Sequence, residues 1–164
     1  MFDSSIPYLT HYLKALSAIL KKAEAHCEAK KIDPNAFLNF RLFLDMLAFT
    51  RQVQIACDFA KGCAARLAGV AVPSYADEEK TFADLQVRIA KTISFIGEFT
   101  AKDLAGADTR SVTIKVGGQE RSMTGAEYFS GFVMPNFYFH ITTAYNILRH
   151  NGLELGKNDF MGRG

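Results

Sequence analysis

The chain has 164 residues, 49% of them hydrophobic and 22% charged, which suits one globular domain over residues 1–164 with a real core and excludes a disordered chain. Nineteen basic against 17 acidic residues leave a net charge of +2, and no basic run exceeds a pair, so a nucleic-acid polyelectrolyte role is not expected. No apolar run approaches the roughly 20 residues that cross a bilayer, Met1–Pro7 has no signal-peptide pattern, and three cysteines without CxxC spacing predict neither a disulfide framework nor a thiolate zinc site; a cytoplasmic protein is the expectation.

In the first block Ile6, Leu9, Leu13, Leu16, Leu20, Ala23 and Cys27 recur at spacings of three and four. That is the buried stripe of a long helix, with Lys14, Lys21, Lys22, Glu24 and Glu28 on its solvated face. Asp33-Pro34 reads as an N-cap followed by proline at the first helical position. The second block then runs to about Leu67, with a candidate break near Phe40, and Gly69 and Pro73 end it. A third helix starts near Thr81, with Asp84 in capping-box position and a stripe of Phe82, Leu85, Ile89, Ile93 and Ile96.

The alternating Ser111–Val116 segment, Gly117-Gly118 and Gln119–Ser122 predict a β-hairpin. Thr124 and Glu127 form the capping box of the fourth helix. Pro135 lacks an amide proton and clashes with the Gly131 carbonyl, so a kink is expected there. Beyond it Phe137, His140, Ile141, Ala144 and Leu148 form the stripe, and the glycine-punctuated tail after Gly152 reads as extended. Four long helices with one longer connection predict an all-α four-helix bundle with a small hairpin before the last helix.

The candidate site comes from polar residues within apolar stripes. The second block carries Arg41, Asp45, Gln52, Gln54 and Asp58 among apolar residues. Arg41 and Asp45 are an (i, i+4) pair on one helix face. These groups form either an outward polar face or a satisfied pair between helices; in the sharper reading Gln52 points toward the fourth helix. His140 is either a hydrogen-bonded core residue or a ligand, and Asn136 stacks above it at (i, i+4). Tyr138 and Tyr145 can donate into a pocket or simply pack. His150 suits a helix C-terminus. His11 and His26 carry no assignment. No nucleophile elbow, P-loop or dinucleotide fingerprint occurs, and Cys57 and Cys63 lack a clear activator.

Six segments carry a resemblance: Arg41–Met46, Arg51–Asp58, Ala65–Val70, Pro135–His140, Thr143–Gly152 and Gly156–Gly162. Together they resemble the domain of unknown function family 1993 over nearly the whole chain and, more remotely, the DinB/YfiT-like four-helix bundles. Many of those hold a divalent metal on three histidines, and some are thiol-dependent transferases or hydrolases. Registering the helix ends puts the three ligand positions at Gln52, Asn136 and His140. The resemblance therefore implies a DinB-like bundle whose metal site has eroded, because two amides and one imidazole make a weak set for zinc or nickel. The implied pocket is Gln52, Asn136, His140, Asp45 and Tyr145. No cofactor is expected; a metal, if bound, would use His140 with Asp45 or Asp58. Two functions follow: a non-catalytic or small-polar-molecule-binding homodimer, or a DinB/YfiT-type metal-dependent transferase or hydrolase using His140.

Overall fold

The computed structural model describes residues 1–163. The first stripe becomes a single long helix, α1 (Phe2–Lys30). Its apolar residues Leu9, Leu13, Leu16, Ile19, Leu20 and Ala23 are fully buried. The helix stops at Lys31, which takes a left-handed conformation at φ 55°. Asp33 then caps the short α2 (Pro34–Leu38), accepting from the Asn35 amide at 3.0 Å. The expected break near Phe40 is a full excursion. Residues 40–48 form a closed loop in which the Phe49 amide donates to the Phe40 carbonyl at 2.9 Å.

Helix α3 (Phe49–Ala68) follows and ends at Gly69, left-handed at φ 75°. Helix α4 (Phe82–Gly97) opens on the Thr81–Asp84 capping box. Strands β1 (Ser111–Val116) and β2 (Gln119–Thr124) pair antiparallel, Val116 opposite Gln119. Both turn glycines have positive φ, 58° and 81°, the primed turn that matches strand twist. Val112 and Ile114 bury one face of β1 against the bundle.

The Thr124–Glu127 box starts a short turn, α5 (Gly125–Glu127). The chain then widens into a π-helical segment, Tyr128–Val133, and continues as α6 (Met134–His150). Backbone angles stay helical through Val133 (φ −66°, ψ −56°) and Met134 (φ −63°, ψ −44°). The disturbance expected at Pro135 is therefore taken up by a π turn just before it, a known way to accommodate a missing donor in the helical ladder. Beyond α6 the tail is not merely extended. Leu153 and Leu155 are buried, and a last turn, α7 (Lys157–Phe160), docks on α1 through Lys22–Asp159 and a His11 Nε2–Met161 carbonyl bond of 2.9 Å.

Around the bundle the order is α1, α4, α3, α6, with α3 packed between α4 and α6. Phe49, Phe82, Phe137 and Tyr128 are among the largest fully buried side chains. The hairpin is joined to the bundle at Gly125, whose amide donates to the Arg110 carbonyl at 2.8 Å. A Cβ at Gly125 would collide with the Ala107 carbonyl and press on Leu67. Gly125→Ala is expected to cost about 1–3 kcal/mol by overpacking, read as a lower urea midpoint with an unchanged slope. An unchanged midpoint would show that this junction is looser than the geometry states.

Candidate functional site

One hydrogen-bonded chain links the 40–48 loop, α3 and α6. Gln52 is 1% exposed and lies on the α6 side of α3. Its Nε2 donates to the Leu47 carbonyl at 2.9 Å. That bond turns Oε1 toward His140, whose Nδ1 lies 2.7 Å away. An amide oxygen only accepts, so the imidazole proton sits on Nδ1 and the lone pair on Nε2. The ring stacks on Phe59 (centroids 5.9 Å, 21°) and meets Phe139 edge-on (5.3 Å, 88°). Burial holds the His140 pKa below its ordinary value, so at neutral pH it is an uncharged imidazole whose Nε2 has no hydrogen-bond partner among the described residues.

The structure thus brings together two of the five pocket residues inferred from sequence, and by the sharper reading of Gln52. Asn136 shares their neighbourhood but is spent on its own helix: Nδ2 donates to the Phe132 carbonyl in the π segment at 2.7 Å. Asp45 sits exposed in the 40–48 loop, with no ion pair or hydrogen bond to His140. Its expected helical pairing with Arg41 is absent because that stretch is not helical; Arg41 Nη1 donates to the Met46 carbonyl at 2.6 Å instead. Tyr145 turns away to pack edge-on against Phe160 (5.8 Å) and lines a separate hollow with Lys157. Asp58, the other carboxylate expected beside His140, is bound by Lys61 at 2.7 Å and Arg88 at 2.8 Å. Among the described residues no group of three or more His, Cys, Asp or Glu side chains is arranged to hold a metal ion.

A second polar assembly on the other side of α3 escaped the sequence reading. Its centre is Arg88 on α4, with a side chain 1% exposed. Nη1 donates to Glu79 at 2.9 Å and to the Ala76 carbonyl at 3.0 Å, and Nη2 reaches Asp58. Arg51 reaches Asp77 at 2.6 Å, and Gln54 donates to Glu79 at 2.6 Å. Burial raises the Glu79 carboxyl, but the Arg88 and Gln54 hydrogen bonds outweigh it and hold the group below its usual range. The one sequence signal was an arginine three residues after Leu85 and directly before Ile89, inside the apolar stripe.

The profile of a domain of unknown function, DUF1993, matches residues 1–161. The chain belongs to the DUF1993 family. A crystal structure of a DinB family member protein from Shewanella denitrificans is 44% identical to it, with a TM-score of 0.92 over 98% of this chain and 90% of that one. The DUF1993 chain is thus a DinB-like helical bundle with a small hairpin, as the resemblance implied. No curated protein matches it. No helix is long and apolar enough to cross a membrane among the described residues.

The Gln52–His140 bond sets two outcomes. His140→Ala leaves Gln52 Oε1 buried without its donor, and should cost roughly 1–3 kcal/mol in urea unfolding while helical circular dichroism persists. The lowered His140 pKa also fixes a sign. The folded state resists protonation, so this contribution is complete above the unfolded value of about 6.5 and is lost as pH falls toward the lower folded value. Urea midpoints of the wild type should therefore fall between about pH 7.5 and 5, and fall less in His140→Ala. Parallel pH curves would show that His140 does not supply the dependence.

Proposed function

We propose that this DUF1993 chain is a non-catalytic, small-molecule-binding bundle, working as a homodimer, in which a DinB-type metal site has eroded. The observation that carries the reading is the Gln52–His140 hydrogen bond. It consumes Nδ1 and leaves a single lone pair, on the neutral Nε2, open to any guest. A borderline divalent metal needs several imidazole, thiolate or carboxylate donors. The residues at the other two ligand positions are amides, and both are engaged: Gln52 with Leu47 and His140, Asn136 with Phe132. The carboxylates that would complete a metal site are Asp45, exposed in its loop, and Asp58, neutralised by Lys61 and Arg88. The donor set does not fit zinc or nickel.

What suits this site is a small polar molecule that donates one hydrogen bond to Nε2 and lays an apolar or planar body on Phe59 and Phe139. The same region supports the dimer. Phe139 is 55% exposed, and the loop whose Leu47 anchors Gln52 carries Phe43, Leu44 and Leu47 at 65%, 88% and 42%. Apolar residues gathered this way commonly mark an interaction surface, and in a twofold dimer each copy would offer the same patch to the other.

The alternative is a divalent-metal-dependent transferase or hydrolase using His140. Elemental analysis of untagged protein, purified without chelator and then offered zinc or nickel, separates the two. The binding-protein reading expects metal far below stoichiometry. Near-stoichiometric metal that disappears in His140→Ala would overturn it in favour of the enzyme. Light scattering should give twice the 18.2 kDa chain mass; a monomer would remove the dimer.

A further inference from the structure

The connection between α3 and α4, residues 70–80, has an unusual attachment. From 71 to 79 no backbone amide or carbonyl bonds to another backbone group among the described residues, and none of these residues is fully buried. Side chains hold it instead. Arg88 grips Ala76, Asp77 and Glu79, Arg51 grips Asp77, and Gln54 grips Glu79. The Tyr75 ring lies between two ammonium groups, Lys61 Nζ and Lys91 Nζ, each 4.1 Å from its centroid, with the Arg88 guanidinium at 5.6 Å.

The charges are divided unevenly. The cations Arg51, Lys61, Arg88 and Lys91 belong to the rigid helices α3 and α4. On those helices only Asp58 opposes them directly, since Asp84 is spent capping the N-terminus of α4. The other two carboxylates of the cluster, Asp77 and Glu79, sit on the connection. Arg88 and Lys61 are buried and buried cations require anions, so the connection supplies to the helices two carboxylates and an aromatic ring. One donor is left over. Arg88 Nε is buried with no partner, the only such side-chain atom among the described residues. Against the cluster lies a hollow of about 420 Å³ bordered by Tyr75, Arg88 and Lys91 and by the carboxylates Glu78, Glu79 and Asp84, within the size range of small-molecule sites.

We propose that residues 70–80 are an internal pseudo-ligand covering a cationic slot between α3 and α4, and that the slot takes a small aromatic acid. The anionic groups of such a ligand replace Asp77 and Glu79 on Arg51 and Arg88, and its ring replaces Tyr75 between Lys61 and Lys91. This slot is separate from the Gln52–His140 site and does not depend on the function proposed there. Cys57 lies beneath it on α3, fully buried beside Thr92, Tyr75 and Arg88. Its thiol therefore reports whether the cover is on or off, whereas Cys63, a turn and a half further along α3, has none of these neighbours among its influences.

The test pairs a loosened cover with a defined probe. Asp77→Asn combined with Glu79→Gln keeps the shape of the contacts and removes their charge. N-ethylmaleimide labelling, mapped by peptide mass, should then speed up at Cys57 by roughly tenfold or more, as expected for lost charge-assisted bonds, with Cys63 unchanged. Phenyl phosphate, titrated calorimetrically at matched ionic strength, should bind the double variant roughly tenfold more tightly than the wild type. Adding Lys91→Ala should cancel that gain. Tyr75→Ala, which removes the ring and keeps the ion pairs, serves if the double variant does not fold, and should also free Cys57. Unchanged Cys57 labelling overturns the proposal. So does equal acceleration at Cys57 and Cys63, which signals general loosening, and so does binding of inorganic phosphate as tight as that of phenyl phosphate.

Discussion

Helix α3 is enclosed by its neighbours along most of its length, yet it carries Gln52, Gln54 and Lys61 among its buried residues. Each polar group taken from water must find a partner in the protein or leave a cost of a few kcal/mol uncompensated. That requirement organises the molecule. Toward α6 it is met by the Leu47–Gln52–His140 chain. Toward α4 it is met by Arg88 and the carboxylates gathered on it. The segments entering and leaving α3, the 40–48 loop and the 70–80 connection, have little regular structure, and each is fastened by one of these two networks.

The two networks differ in electrical character, and this separates their roles. The Gln52–His140 pair is uncharged, small and surrounded by aromatic rings. It offers one lone pair in an apolar setting, suited to recognising a hydrogen-bond donor and ill suited to holding a cation. The Arg88 cluster is ionic, with its anions partly on a segment, residues 71–79, that no backbone-to-backbone hydrogen bond secures among the described residues. An ion-paired cluster of that kind is sensitive to competing anions in a way that the neutral pair is not. Among the described residues no three-imidazole centre is present, and the DinB-like scaffold holds two polar interiors of opposite electrical character.

Much of this was legible in the sequence where local rules act alone. The α1 stripe, the Asp33 cap, the Thr81–Asp84 and Thr124–Glu127 boxes and the Gly117-Gly118 turn each depend on a few neighbouring residues, and each stands as expected. The facing of Gln52 and His140 was legible as one of two readings, because both interrupt apolar stripes. What failed depended on distant partners. Leu42, Leu44 and Leu47 imitate a helical stripe but belong to a closed loop, so Asp45 lost its expected place. Tyr145 was drawn to Phe160 by a tail whose Leu153 and Leu155 needed burial. Arg88 was hidden because its four partners lie on two other segments, and an isolated arginine in an apolar stripe does not announce them.

The protonation state of His140 tests the Gln52–His140 bond most directly. Long-range proton–nitrogen correlation spectra of uniformly labelled protein at neutral pH distinguish the two tautomers and the imidazolium. A neutral ring with the proton on Nδ1 and a free lone pair on Nε2 is expected, because Gln52 Oε1 can only accept. A ring protonated on Nε2 alone, or an imidazolium, would contradict the Gln52–His140 bond and with it the reading of the site.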